Sequence, residues 1–192
     1  MSTPSLREVK KRRTRDAIVA AATRLFDEHG YDAVTVAQVA EAAEVGQRTL
    51  YRHFADKEDF LFGGDEEVAQ VMAAAAASAP AGSTGPAILR HAVRAGAEVI
   101  EPDRATLARR ARVIARTPAL QARDGMKHAR MQQLFVDELV RRGHPHDRAR
   151  LTAGVGIACV TEALTRWLEG PDGTTLDEAL DAVEAEVRTL TP

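Results

Sequence analysis

The chain is expected to be all-α, with an N-terminal three-helix helix-turn-helix unit over residues 1–56 and a second, helical domain over residues 57–192. Three observations predict this. Aromatic residues make up only 4% of the chain while alanine and leucine abound. No alternating Val/Ile/Thr run bounded by turn residues is present. Threonines stand as caps just ahead of segments whose apolar residues recur with helical spacing. A chain of 192 residues is long enough for a sizeable core in one or two domains.

The first helix is read over residues 9–29, with Ile18, Ala21, Ala22, Leu25 and Phe26 inward and Gly30 as its stop. Thr35, with Gln38 three residues on, forms a capping box that opens a second helix, whose apolar face is Val36, Val39 and Ala40. Residues 43–46 break that run. A third helix starts at Gly46 or Gln47 and turns Leu50 and Phe54 inward, leaving Gln47, Arg48, Thr49, Tyr51, Arg52 and His53 outward. Two short helices joined by a tight turn, the second rich in exposed donors, match the geometry in which that helix enters the major groove of DNA.

Asp56 is expected to cap a helix over residues 57–78 that Gly63 and Gly64 interrupt, each glycine weakening it by about 1 kcal/mol relative to alanine. The pair reads equally as a hinge or as a break tolerated by packing. Residues 79–85 form a loop, and Pro86, Pro102 and Pro118 suit the first turns of three further helices. Helices over residues 119–142 and 147–168 follow, then a turn from Gly170 to Gly173. A second capping box, Thr175 with Glu178, opens the last helix, whose stripe is Leu176, Ala179, Leu180, Val183, Val187 and Leu190.

The net charge of −2 hides an asymmetry. Arg7, Lys10, Lys11, Arg12, Arg13 and Arg15 crowd the start, whereas Asp177, Glu178, Asp181, Glu184 and Glu186 decorate the last helix. A basic start beside a helix-turn-helix suits phosphate contacts, and its alternative is a solvated tail. The acidic end would be repelled by DNA. Cys159, the single cysteine, excludes an intramolecular disulfide and a multi-cysteine zinc site and reads as a small core residue, with a reactive sensor thiol as the alternative. No stretch is apolar enough to span a bilayer and no apolar segment follows the basic start, so a cytoplasmic protein is expected. No nucleophile, catalytic carboxylate pair or phosphate loop points to an enzyme; Gly154-Val155-Gly156 lies in a helix, and His144-Pro145-His146-Asp147 reads as a surface turn rather than a metal site. No cofactor is expected.

Over residues 10–62 the chain resembles the tetracycline-repressor (TetR) family. The resemblance rests on a basic first helix ending Leu25-Phe26-Asp27-Glu28-His29-Gly30-Tyr31, then Thr35-Val36, Thr49-Leu50-Tyr51-Arg52-His53-Phe54 and Lys57-Glu58-Asp59. Two departures stand out: Glu44 where the family usually has glycine in the turn, and Gly46 where it usually has a Ser or Thr cap. The resemblance implies a ligand-released homodimeric repressor of a palindromic double-stranded operator, with an activator or nucleoid-type binder as the alternative and a helical enzyme or ligand carrier as a distant one. It implies Gln47, Arg48 and Arg52 as base readers, and Thr35, Thr49, Tyr51, His53 and Lys57 as phosphate contacts.

The same resemblance implies a ligand cavity in the second domain for a small lipophilic or acyl-type effector. Its expected lining is Met72, Ile88, Val93, Ile100, Leu107, Ile114, Met126, Met131, Phe135 and Trp167. Arg109, Arg112 and Arg116 share one helical face that either meets an anionic ligand or is simply solvated, the latter favoured. The last two helices are the expected dimer interface, through Leu151, Val155, Ala158, Leu180, Val183 and Val187, with Gly154, Gly156 and Ala163 permitting close approach; the alternative is that the stripe of the last helix packs only inside its own subunit.

Overall fold

The computed structural model describes residues 5–190 apart from the side chain of Glu8, and among these residues there is no strand. The helices are α1 (Leu6–His29), α2 (Val36–Ala42), α3 (Gln47–His53), α4 (Asp59–Phe62), α5 (Asp65–Ser78), α6 (Gly85–Ile100), α7 (Arg104–Arg116), α8 (Pro118–Arg141), α9 (His146–Glu169) and α10 (Leu176–Thr189), with one 3-10 turn at Glu101–Asp103. The chain forms two compact units. The first comprises residues up to Gly64 together with Ala105–Gln121; the second comprises Asp65–Arg104 and the residues from Ala122 onward.

In the first unit, Ile18, Ala22 and Phe26 of α1 meet Val39 and Ala40 of α2, Leu50 of α3, Phe54, and Phe60, Leu61 and Phe62 of α4. Val113 and Leu120 belong to the same buried cluster, so the segment after residue 104 completes this core. The unit thus extends beyond the division expected at residue 56, because the apolar side chains of α4 and α7 have their burial there. Phe54 stands edge-on to Phe60, ring centroids 5.1 Å apart, and Phe26 edge-on to Tyr31 at the same separation, arrangements worth about 0.5–1.5 kcal/mol beyond area burial.

The expected interrupted helix is two helices. Asp56 accepts a hydrogen bond from the backbone N–H of Asp59 at 2.8 Å, and Asp59 accepts one from Ala55 at 2.9 Å, so the start is capped from both sides. The four-residue α4 then stops at Gly63, whose backbone carbonyl accepts a hydrogen bond from Arg15. Gly143, at φ 89°, ends α8 through bonds from Gly143 to Val140 and from His144 to Leu139.

In the second unit α5 packs on α6, α6 on α9, and α9 on α10. Buried Trp167 donates its indole N–H to the Thr174 carbonyl at 2.9 Å, pinning the turn before α10. Arg104 donates to the carbonyls of Trp167, Gly170 and Pro171, satisfying the open end of α9. The acidic face of α10 is paired within the unit: Arg94 grips Asp177 at 2.6 and 2.9 Å, Arg90 bonds Asp181 and Glu184, and Arg166 grips Glu186 at 2.7 and 2.9 Å.

Two sequence expectations for α10 require correction. Leu180 and Val183 are only 2% and 3% exposed within the single chain, because the stripe of α10 packs onto its own α9 and α6. They are core residues of the single chain. Val187 is half-buried, whereas Leu151, Val155 and Ala158 are exposed along one face of α9 at positions i, i+4 and i+7.

Candidate nucleic-acid interface

The turn between α2 and α3 is built against the ordinary preference of its residues. Val45 N–H bonds the Ala40 carbonyl at 2.9 Å and Glu44 N–H bonds that of Glu41 at 3.0 Å, the paired bonds of a Schellman stop. That stop requires a left-handed residue, and Glu44 supplies it at φ 54°, the one non-glycine residue with positive φ among those described. A side chain there costs roughly 1–2 kcal/mol. Packing of Val36, Ala43 and Val45 onto the buried cluster holds the turn in place.

Gly46 is the N-cap of α3 and makes no side-chain cap bond. Beyond it Leu50 and Phe54 point into the core, which fixes the rotation of the helix about its axis. Gln47, Arg48, Tyr51 and Arg52 are therefore exposed together, with Thr49 and His53 half-buried at the edges. The arrangement presents two guanidinium forks, an amide and a phenol on one rigid surface, the groups that bond guanine, adenine and phosphate.

The remaining expected contacts are partly engaged within the chain. The Thr35 hydroxyl accepts from Gln38 N–H at 3.3 Å and donates to the Gln38 side chain at 2.9 Å. Lys57 donates to the Tyr31 carbonyl at 2.5 Å, with its ammonium 4.2 Å from the centre of the Tyr31 ring. Burial holds its proton affinity below the ordinary lysine value. Lys57 thus fastens the turn after α1, and only its remaining N–H groups are free to meet a phosphate.

Sequence reasoning missed a groove beside this surface. Helix α1 starts at Leu6, not residue 9, and its first turns form with the end of α3 a groove of about 610 Å³ lined by Arg7, Lys10, Lys11, Thr14, Arg52 and His53. The legible signal was the spacing of Arg7, Lys10, Lys11 and Thr14, which places them on one face of a helix.

Arg112 and Arg116 of α7 are engaged within the first unit. Arg112 grips Asp27 at 2.5 and 3.2 Å and Arg116 stands 3.7 Å from it, so the Asp27 carboxyl lies below the usual range. The expected ligand residues are likewise divided. Ile114 packs on the first unit's core and Leu107 lies in the same unit, while Met126 is 67% exposed. Met72, Ile88, Val93 and Trp167 are buried in the second unit, and Ile100 is half-buried there. Only Met131 and Phe135 line the cavity found between α5 and α8, about 230 Å³, with Ala73, Ala76 and Leu134 as further apolar walls and Asp137, Glu138 and Arg141 as its polar ones.

A family model described as bacterial regulatory proteins of the tetR family matches residues 18–62, and one described as the MftR C-terminal domain matches residues 84–191. The regulator TcmR of Streptomyces glaucescens is 38% identical over 125 residues, a match spanning 62% of this chain and 55% of that relative. The repressor AcnR of Corynebacterium diphtheriae is 26% identical over 188 residues, 93% of each chain. Among solved structures, FadR of Bacillus subtilis in complex with stearoyl-CoA superposes with a TM-score of 0.61 at 19% identity, covering 88% of this chain and 94% of that one, a likeness of fold alone.

Proposed function

Because the chain belongs to the TetR family of bacterial regulatory proteins, with a C-terminal domain of the MftR type, we infer that it is a cytoplasmic, homodimeric transcriptional repressor that a small molecule releases from a palindromic operator. The observation that carries this reading is the exposed face of α3, Gln47, Arg48, Tyr51 and Arg52, held at one rotation by buried Leu50 and Phe54. Arg48 and Arg52 read guanine edges and Gln47 an adenine, each good pair discriminating by about 1–3 kcal/mol. Thr49, Tyr51 and His53 set the register on phosphates, with Thr35 and Lys57 in support through the turn they brace.

Two recognition helices are needed to read both halves of a palindrome, and the second comes from a second copy. Exposed Leu151, Val155 and Ala158 on α9 supply the apolar centre of that contact, and the outward Ala182 and Ala185 of α10 extend it. The effector enters the cavity lined by Met131 and Phe135. At about 230 Å³ that cavity is smaller than the ~300–1,000 Å³ of pockets that enclose drug-sized ligands, so it takes a compact lipophilic group or the end of a longer chain. The stearoyl-CoA bound by FadR supports an acyl-type effector as one class.

Transcription in vitro from the DNA upstream of the chain's own gene tests the reading. Added protein is expected to lower output from a promoter it binds, and a chain carrying both Arg48→Ala and Arg52→Ala to leave output unchanged. A rise in output would make the protein an activator, and no binding at all would remove the DNA-binding role.

A further inference from the structure

The groove between α1 and the end of α3 has a chemistry of its own. It is walled by Leu6, the cations Arg7, Lys10, Lys11 and Arg52, Thr14 and the imidazole of His53, and among the described residues no carboxylate lines it. Among the described residues none of those four cations is held in an ion pair. This contrasts with the second unit, where Arg90, Arg94 and Arg166 are all neutralised by α10. Like charges gathered along one groove repel one another, and an anion placed among them relieves that repulsion.

We propose that this groove seats a backbone phosphodiester of bound duplex and that His53 takes up a proton from solvent as the phosphate enters, so that DNA binding by this chain tightens as pH falls. The proposal rests on the DNA-binding reading above and adds to it a phosphate seat and a proton. The groups facing His53 are Lys11 and Arg15 from α1 and Arg52 from α3, with the Phe54 ring 6.3 Å away. Without DNA these three neighbours are all positive, and burial with those charges holds the imidazole below its ordinary 6.5, neutral near pH 7. A phosphate reverses the sign of the local field and favours the imidazolium, which then donates to it. By linkage, a group that gains proton affinity on binding strengthens binding as pH falls, tenfold for each unit gained. Arg52 borders both the groove and the base-reading face, so seating the phosphate also orients a reader.

The test uses the full chain and a mixed-sequence duplex of about 30 base pairs at low salt, because phosphate contacts do not depend on sequence. Affinity is measured at pH 8, 7 and 6 for the wild type, His53→Gln and His53→Lys. Wild-type affinity is expected to rise on the order of tenfold from pH 8 to pH 6. His53→Gln should lose most of that slope, and His53→Lys should bind at pH 8 about as tightly as the wild type at pH 6, with a flat profile. Parallel slopes in all three chains would overturn the proposal while leaving DNA binding intact. A wild type that binds no duplex at any pH would instead remove the reading beneath it. Should either variant lose its helical circular dichroism, calorimetry of the wild type in two buffers of different ionisation enthalpy decides: proton uptake on binding near pH 7 supports the proposal, and none overturns it.

Discussion

Glu44 shows how one residue reports on the site it shapes. Its left-handed backbone at φ 54° is needed to end α2 so that α3 can begin three residues later. Glycine adopts that conformation without strain, so Glu44→Gly is expected to raise stability by about 1 kcal/mol, the relief of a left-handed side chain less the glycine's extra unfolded-state entropy. Chemical denaturation measures it, and a loss of stability would mean that the Glu44 side chain contributes more than its backbone strain costs. The strain was legible in the sequence through the resemblance to the TetR family, which usually has glycine in the turn where Glu44 stands. Lys57 was not legible in the same way. Its spacing after α3 suggests a phosphate contact, but its partner, the Tyr31 carbonyl, is 26 residues away and is brought near only by the packing of α1 against the later helices.

Helix α10 shows where periodicity stops being informative. The stripe of Leu176, Ala179, Leu180 and Val183 correctly marks an apolar face, but periodicity does not say whether that face meets its own chain or another. The answer lies in α6 and α9, on which α10 packs: Ala163 of α9 is fully buried, and Gly156 of α9 lets Leu89 of α6 approach so closely that a Cβ there would meet it at 2.3 Å. Leu180→Ala is therefore expected to destabilise the subunit by about 2–5 kcal/mol. Leu151→Glu and Val155→Glu, on the exposed face of α9, should leave the thermal midpoint of the subunit nearly unchanged while shifting light-scattering mass from dimer to monomer. If Leu151→Glu stays dimeric, the contact uses another face.

Across the whole molecule, the sparse aromatics serve the DNA-binding unit more than the sensor. Phe26, Tyr31, Phe54, Phe60 and Phe62 pack in the first unit's core, and only Phe135 and Trp167 fall in the second. Aromatic content was thus a poor guide to a ligand cavity, whereas the helix-turn-helix, whose signals are local caps and short spacings, was read almost residue by residue. The chain's ionic ties also set its acid behaviour. Asp27, Glu138, Asp177 and Glu186 are each held below their ordinary carboxyl values chiefly by hydrogen bonds from Arg112, Arg141, Arg94 and Arg166. Stability from a lowered carboxyl is present above its unfolded value and lost as pH falls through the folded one. His53, held below 6.5 chiefly by burial, adds a loss that begins as pH falls past that value. The thermal midpoint of the free protein should stay level above about pH 7, decline gently below about 6.5 and drop steeply below about 4. Asp27→Asn should soften the steep part, and an acid limb unchanged by it would separate this ion pair from stability.

The claim on which the rest depends is that α3 reads bases in pairs related by two-fold symmetry. Selection of bound sequences from a random duplex pool tests it directly. The wild type is expected to enrich a palindrome whose half-sites lie about one helical turn apart, roughly 34 Å centre to centre, or a multiple of that. A chain with Arg48→Ala and Arg52→Ala should lose the enriched bases while keeping salt-sensitive binding to any duplex. Recovery of the same palindrome by the substituted chain, or of no preferred sequence by the wild type, would contradict the assignment of this surface.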